Sequence, residues 1–258
     1  MQYQTITSTM SGDVAILTLN RPDVMNALTS QLRIELLDAL QRATQTARAV
    51  VLTGAGRAFC SGQDLGDATS LGAVDMERLL RDEYEPLLNA IYTCPIPTIA
   101  ALNGAAVGAG ANLALAADVV IAAHSASLSQ SFTRIGLIPD AGGTYWLPRQ
   151  IGMPRAMGAA LFADKITATQ AADWGMIYEA VPDADFNAHW RARAAHLAAG
   201  PTAAYARVKA ALRASYANDL NTQLALEARL QGECGATQDF AEGVAAFLEK
   251  RPAKFMGR

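Results

Sequence analysis

The chain has 258 residues, with 21 Lys and Arg against 24 Asp and Glu, so its formal net charge is −3. Hydrophobic residues make up 51% and charged residues 17%, a composition that can build a core and excludes a disordered chain. No run of Lys and Arg is present, which argues against a nucleic-acid partner. Three widely spaced cysteines, Cys60, Cys94 and Cys234, predict neither a disulfide framework nor a metal site and fit a reducing compartment.

The N-terminal residues do not have the pattern of a secretory signal, so a cytoplasmic location is expected. The uncharged stretch over residues 86–117 is long enough to raise the question of a membrane span. It is rich in Ala and Gly and is interrupted by Pro95, Pro97 and Asn103. This composition favours close-packed protein interior over a membrane helix, and no membrane partner is expected.

The first part of the chain alternates predicted strands and helices. Residues 3–7 and 14–19 predict a hairpin around a turn at 11–13. Thr29 is predicted to cap a helix, and a longer helix is predicted to end near Thr93 after a loop over 58–73. Three apolar runs predict buried strands over residues 49–53, 98–102 and 119–122. A short helix is predicted over residues 110–117. The alternation predicts an α/β fold.

Beyond residue 186 the β-rich runs stop, and four consecutive helices are predicted: 186–199, 201–215, 220–231 and 237–250. The chain is therefore predicted to divide into a core over residues 1–185 and a helical subdomain over 186–258. Dinucleotide-binding, P-loop and serine-hydrolase motifs are incomplete or absent, and His124, His189 and His196 are assigned to packing or surface roles.

Three turns remain as candidates for chemistry. Two are rich in glycine and follow strands: residues 57–65 (RAFCSGQDL) and 103–113 (NGAAVGAGANL). The third, residues 135–144 (IGLIPDAGGT), carries a carboxylate, Asp140. Glycine lets the backbone approach a ligand and present its amides, and two converging amides form an oxyanion hole. Glycines that only permit close packing are the alternative.

Asp140 can be interpreted in two ways from its neighbours. Its position before Gly142 and Gly143 suits a helix N-cap. Its apolar surroundings, which include Leu137, Ile138 and Trp146, would instead raise the pKa of a carboxylate used for proton transfer.

The three turns, in this order and spacing, resemble the enoyl-CoA hydratase/isomerase (crotonase) superfamily. The resemblance extends over the whole chain, from residues 19–22 (LNRP) to residues 247–252 (FLEKRP). It implies a ββα spiral core with a C-terminal helical region, acyl-CoA thioester substrates, and trimers or dimers of trimers. It implies no metal and no cofactor other than the coenzyme A of the substrate.

The resemblance also assigns site residues. The amides of Gln63 and Ala109 correspond to the oxyanion hole. Coenzyme A is expected along residues 63–66, and Lys250 is expected at a CoA phosphate across a subunit boundary or, alternatively, on a solvated helix face. The full set of expected CoA-binding residues is Val24, Ala58, Gln63, Asp64, Leu65, Gly66, Gly108 and Lys250.

Two departures concern the catalytic acids. Hydratases of the family use two glutamates, and the matching positions here are Asn112 and Phe132, so efficient hydration is not expected. Asp140 stands where several isomerases of the family place their acid. Asn112 is expected to cap its helix, with orientation of substrate or of Asp140 as alternatives.

Residues 136–149, 155–158 and 174–177 resemble the subgroup of isomerases that convert the ring epoxide of phenylacetyl-CoA to an oxepin thioester. The leading hypothesis is therefore an acyl-CoA isomerase with this substrate and with Asp140 as acid and base. A Δ3,Δ2-enoyl-CoA isomerase of fatty-acid oxidation is the nearest alternative, a dehalogenase is a weaker one, and a non-catalytic acyl-CoA-binding scaffold is an alternative of another class. Cys60 is expected to be a buried structural thiol.

Overall fold

A six-stranded sheet forms the centre of the fold in the computed structural model, which describes residues 2–66 and 75–258. In spatial order its strands are β1 (Ile6–Ser11), β2 (Val14–Leu19), β3 (Ala49–Gly54), β5 (Thr98–Leu102), β7 (Val119–Ala123) and β10 (Glu179–Val181). The β1–β2 pair is antiparallel and every later pair is parallel. The predicted α/β class is confirmed: β5 is buried along its whole length and β3 over its first four residues, as expected of parallel strands covered on both faces.

The hairpin differs from its prediction in position. Strand β1 begins three residues later than expected and runs to Ser11, which pairs with Val14, so the turn is the two residues Gly12 and Asp13. Except for Ile6 the strand is exposed. An exposed edge strand lacks the apolar run from which the sequence pattern locates strands.

A second sheet of four short strands lies beside the first: β4 (Ala58–Cys60), β6 (Ala105–Val107), β8 (Ser127–Ser129) and β9 (Ile166–Thr167). Three times in succession the chain adds one strand to the large sheet and one to the small sheet, and then forms a helix. This is the ββα spiral that the resemblance implied. The loop predicted over residues 58–73 includes β4, and its part over 67–73 lies outside the described residues.

Helix α1 (Ser30–Thr46) begins where the sequence predicts, because the Thr29 hydroxyl accepts a hydrogen bond from the Leu32 amide. The next helical segment has three parts: α2 (Met76–Leu79), a π-helical turn (Leu80–Tyr84) and α3 (Glu85–Tyr92). In the π-helical turn the Glu85 amide donates to the Leu80 carbonyl, five residues back. The turn precedes Pro86, which has no amide hydrogen for a regular helical bond.

Two further helices position the site. Helix α4 (Ala109–Leu115) is buried throughout, and α5 (Gly143–Phe162) is bent at Gly152, where φ is 74°. The sequence did not predict α5, because Pro148, Pro154 and Gly152 interrupt its pattern. A short helix, α6 (Ala168–Asp173), follows β9.

Four helices complete the chain: α7 (Asp183–Ala199), α8 (Thr202–Ala214), α9 (Leu220–Gly235) and α10 (Gln238–Glu249). Helix α7 begins three residues earlier than predicted and packs Phe186 and Trp190 into the core. Lys209 of α8 is buried and donates to the carbonyls of Cys94 and Ile96, while it pairs with Asp118 at 2.6 Å. The division at residue 185 stays a prediction.

None of the helices in the described ranges is both long enough and apolar enough to cross a bilayer.

Candidate active site

The first glycine-rich turn is fixed by short backbone bonds to the residues before α1. The Leu28 amide donates to the Gly62 carbonyl at 2.8 Å, and the Asp64 amide donates to the Leu28 carbonyl at 3.1 Å. Leu28 and Gln63 therefore form an isolated parallel bridge. In such a bridge the amide of the middle residue points away from its partner strand, so the Gln63 amide faces the opposite side.

The second glycine-rich turn lies against the first. Gly62 has a φ of +92°, and a Cβ there would lie 2.8 Å from the Val107 carbonyl oxygen and 3.6 Å from the Ala109 amide nitrogen. Gly108, with φ 54° and ψ −124°, follows β6 and is the N-cap of α4, so Ala109 is the first helical residue and its amide has no partner within the helix. The two predicted oxyanion-hole residues are thus brought together by a close approach that requires glycine at position 62.

Asp140 lies in the turn before α5 and does not cap that helix. The residue at the N-cap is Gly142, in the left-handed conformation with φ 83°, and no side chain bonds to the helix end. The Asp140 Oδ1 atom is buried and receives no hydrogen bond from any described residue. Burial raises the pKa of Asp140 from 3.8 to about 6. Of the two interpretations of Asp140, the structure favours the proton-transfer group.

Asn112 is fully buried inside α4, and its expected role as a helix cap is wrong because Gly108 occupies the cap position. Its Nδ2 donates to the Asp140 carbonyl at 2.7 Å, and its Oδ1 accepts from Gln130 Nε2 at 2.8 Å. Both polar atoms of the side chain are therefore engaged. Asn112 fixes the backbone of Asp140, which was one of the alternatives.

Phe132 is buried beside the second turn. The atoms nearest to a Cβ built at Gly108 are those of the Phe132 ring, at 3.6–3.9 Å. The position at which hydratases of the family are expected to carry a glutamate thus presents an apolar surface. The carboxamide of Asn112 is already engaged. Of the two carboxylates at the turns among the described residues, Asp64 is paired with Arg21, and Asp140 has an Oδ1 atom without a partner.

A polar cluster that the sequence did not reveal surrounds the Gln63 side chain. Gln63 Oε1 accepts from the Tyr84 hydroxyl at 2.6 Å and from Arg33 Nη1 at 2.8 Å. Tyr84 is buried, which raises its pKa, and the charge on Asp140 contributes to the same increase. In the sequence Tyr84 lies at helical spacing with Leu87 and Ile91, which indicates packing and not a site, and no motif points to Arg33.

The residues expected to bind coenzyme A lie in two places. Near the first turn, the Val24 carbonyl accepts from the Ser61 hydroxyl at 3.3 Å, and Asp64 pairs with Arg21 at 2.8 Å. Leu65 and Gly66 are exposed. Ala58 lies in β4, and its side chain is buried, so it is not exposed to a ligand. The Ala58 carbonyl accepts hydrogen bonds from the side chains of Asn26 and Asn103. Their contacts with coenzyme A stay predictions.

Lys250 is not among the residues of the two turns. It follows α10 in the left-handed conformation, with φ 55°, and its side chain is exposed. Its neighbours Phe247 and Leu248 are also exposed. A contact between Lys250 and a CoA phosphate therefore stays a prediction.

Cys60 is a buried residue of the first turn and lies against Gly110 of the second. Its Sγ donates to the Asn26 carbonyl at 3.2 Å, and a Cβ on Gly110 would lie 2.7 Å from that sulfur. Burial raises the pKa of the thiol to about 12. The thiol therefore stays protonated, as expected of a structural cysteine.

This arrangement can perform proton transfer next to a carbonyl group. Two backbone amides can hold a developing oxyanion, and a carboxylate with a raised pKa can take and return a proton. A buried carboxylate oxygen without a partner is rare in a folded protein, and at this position a ligand can supply the missing contact.

Comparisons with known proteins agree with the fold. Residues 9–258 match the family model described as enoyl-CoA hydratase/isomerase. A Rhodobacter capsulatus protein described as a probable enoyl-CoA hydratase is 66% identical over 100% of both chains. The Escherichia coli 1,2-epoxyphenylacetyl-CoA isomerase is 42% identical over 98% of both chains. The crystal structure of an enoyl-CoA hydratase from Bacillus anthracis superposes with a TM-score of 0.91 at 34% identity, covering 99% of this chain and 100% of that one. The chain belongs to the enoyl-CoA hydratase/isomerase family and has the crotonase fold.

Proposed function

We propose that the protein is an acyl-CoA isomerase that converts ring-1,2-epoxyphenylacetyl-CoA to the oxepin thioester. The observation that carries this proposal is the half-buried carboxylate of Asp140, which has a pKa of about 6 and an Oδ1 atom without a partner, and whose main chain is bonded to Asn112 of the second turn. A carboxylate of that pKa is partly or fully ionised near neutral pH and can act first as base and then as acid.

The proposed reaction needs only one mobile proton. Asp140 takes a proton from the carbon next to the thioester carbonyl, and the electron pair moves onto the carbonyl oxygen, which the amides of Gln63 and Ala109 stabilise. The carbon–carbon bond shared by the epoxide and the six-membered ring breaks, and both carbon–oxygen bonds are kept, which gives the seven-membered ring. The enolate then re-forms the carbonyl group, its electron pair moves through the new double bonds to a ring carbon, and Asp140 returns the proton to that carbon. Substrate and product have the same mass, and the step uses no cofactor beyond the coenzyme A of the substrate.

Hydration is less well supported, although the Rhodobacter capsulatus relative is described as a probable hydratase. Addition of water to a double bond requires groups that hold and activate the water. Asn112 uses both of its polar atoms within the protein, and Phe132 is apolar. The isomerase proposal also agrees with the description of the Escherichia coli relative.

The test compares three thioesters with the wild type and the Asp140→Asn variant. The thioesters are enzymatically generated phenylacetyl-CoA epoxide, a linear 3-enoyl-CoA and crotonyl-CoA, with products followed by mass and absorbance. Formation of the oxepin that exceeds the other two reactions and depends on Asp140 supports the proposal.

Three other outcomes would overturn it. Turnover of the linear 3-enoyl ester alone would identify a fatty-acyl isomerase. Rapid hydration of crotonyl-CoA would show that Asn112 and Phe132 do not prevent hydration. Binding of all three esters without proton exchange at the α-carbon would identify a non-catalytic scaffold.

We further propose that the chain forms a homotrimer or a dimer of trimers. Large apolar side chains are exposed on the C-terminal helices and on α5, among them Leu220, Phe240, Phe247, Leu248, Met153 and Phe162. Exposed apolar patches of this kind mark contact surfaces. Light scattering at several protein concentrations tests the assembly, and a stable monomer would contradict it.

A further inference from the structure

Arg33 is an unusual residue for its position, because it lies on the buried face of α1. Its side chain is 1% exposed, among neighbours such as Leu32 and Leu36 that form the core. A buried guanidinium is costly unless its donors are all bonded. Nη1 bonds to the Leu28 carbonyl at 3.0 Å and Nη2 to the Ser30 hydroxyl at 3.2 Å, while Nε and Nη2 bond to the Glu83 carboxylate at 3.0 and 2.6 Å.

The same guanidinium reaches the first glycine-rich turn. Nη1 lies 2.8 Å from Gln63 Oε1, and the Tyr84 hydroxyl donates to that oxygen at 2.6 Å. The guanidinium carbon lies 4.6 Å from the centre of the Tyr84 ring. On the other side of the carboxamide, Gln63 Nε2 donates to the Asp64 carbonyl at 3.2 Å. The side chain of Gln63 is thus held at both ends, which fixes the backbone that carries the Gln63 amide.

The two charges of the Arg33–Glu83 ion pair lie in different surroundings. Glu83 bonds to Nε and Nη2, whereas Nη1 faces Leu28 and Gln63. The side chain of Glu83 is 27% exposed and that of Arg33 is 1% exposed. The negative group therefore lies towards water and is screened there, while the positive group lies towards the turn, where the dielectric constant is low.

We propose that Arg33 is a positioning residue for the oxyanion hole. It acts through the Gln63 side chain, fixes the direction of the Gln63 amide, and adds positive potential where negative charge develops on the thioester oxygen. This inference rests on the proposed function, because it requires that the Gln63 amide bind that oxygen. Arg33 itself need not touch the substrate.

The experiment measures the polarisation of a bound thioester. The probe is 4-(dimethylamino)cinnamoyl-CoA, whose absorption moves to longer wavelength when its carbonyl oxygen is drawn into an electropositive site. The variants are Arg33→Met, which removes the charge and the bonds, Arg33→Lys, which keeps the charge, and Tyr84→Phe, which removes one bond to Gln63. Arg42→Met is the matched control, because Arg42 lies on the same helix with an exposed side chain.

For Arg33→Met we expect a smaller wavelength shift and a kcat lower by about 10- to 100-fold, with KM and the dissociation constant of the probe within about threefold of wild type. Loss of a complete oxyanion-hole donor costs about 10²- to 10³-fold, so a positioning role should cost less. Arg33→Lys should recover part of the shift, Tyr84→Phe should lose part of it, and Arg42→Met should match the wild type.

The experiment distinguishes a failure of the proposed oxyanion hole from a failure of the role of Arg33. A wild type that binds the probe without any shift would overturn the proposed oxyanion hole, and this inference with it. A normal shift and kcat in Arg33→Met would overturn the role of Arg33 alone. If Arg33→Met does not fold, as circular dichroism would show, Arg33→Lys and Tyr84→Phe decide the matter, and a wild-type shift in both contradicts the proposal.

Discussion

Replacing Asp140 with Asn should make the protein more stable and much less active at the same time. The structure raises the pKa of this carboxyl from 3.8 to about 6 by burial alone. A pKa difference of about 2 corresponds to about 3 kcal/mol of unfavourable free energy for the ionised form in the folded state. Because Asp140 is half-buried, solvent screens part of this penalty, and we expect a gain of about 1–2 kcal/mol at pH 8.

The pH dependence gives the sign of the effect. A carboxyl group with a raised pKa binds its proton more tightly in the folded chain than in the unfolded chain. The free energy of unfolding of the wild type therefore falls as pH rises from about 4 to about 6 and is level above that, as far as Asp140 contributes. The Asn variant lacks this fall, so the difference between the two proteins should be small at pH 4 and largest above pH 6.

Urea unfolding at pH 4.5, 6 and 8 measures the stability, with protein concentration held constant because assembly also contributes. Turnover of the epoxide thioester should fall by about 10²- to 10⁴-fold, as for loss of a general base. Asp164→Asn is the matched control, because Asp164 is exposed. Equal stability of wild type and Asp140→Asn at pH 8 would refute the burial argument, and near-normal turnover would refute the catalytic assignment.

Further predictions concern the site and its support. The kcat/KM for the epoxide thioester should rise with pH up to about 6 and then level, because ionised Asp140 is the base; a flat profile from pH 5 to 8 would contradict this. Gly62→Ala should reduce turnover at least about tenfold, since its Cβ would lie 2.8 Å from the Val107 carbonyl oxygen; kinetics on the folded variant checks this. Asn112→Ala should lower the free energy of unfolding by about 1–3 kcal/mol, because Gln130 loses its partner; urea titration measures it. Lys209→Met should lower that free energy by about 1–3 kcal/mol, because the Cys94 and Ile96 carbonyls lose their donor while Asp118 keeps its ion pair with Arg213; an unchanged unfolding curve would argue against it.

The sequence predicted most elements with a strong apolar period and missed those without one. Helix α1 and strands β3, β5 and β7 have continuous or helical apolar patterns and lie within about two residues of their predicted positions. The strands of the second sheet have only two or three residues, which is too short for any period to be visible. Three of them directly follow a strand of the large sheet, which fixes the direction of the chain, and β9 follows helix α5 and pairs with β8.

In the site, too, some features were visible in the sequence and others depend on contacts that only the folded chain makes. The glycines of the first two turns and the isolated Asp140 of the third stand out in the sequence, whereas the choice of Gln63 and Ala109 within those turns comes from the family resemblance. Arg33 could not be predicted, because a basic residue in an amphipathic helix is expected to face water. Its burial depends on Glu83 and Gln63, which lie 50 and 30 residues away along the chain. The engagement of Asn112 likewise depends on a backbone carbonyl that only the folded chain brings near.

The π-helical turn over Leu80–Tyr84 makes one side of the site depend on chain length. A π turn contains one residue more than an α turn, so it rotates the next helical residues by roughly 100° about the helix axis. Tyr84 ends this turn and points its hydroxyl at Gln63. Deletion of a single residue here would restore regular winding and move the hydroxyl off that carboxamide, although every side chain type could be retained. An insertion or deletion in this segment is therefore more disruptive than most substitutions. When relatives are aligned, a one-residue gap between residues 80 and 84 should be considered.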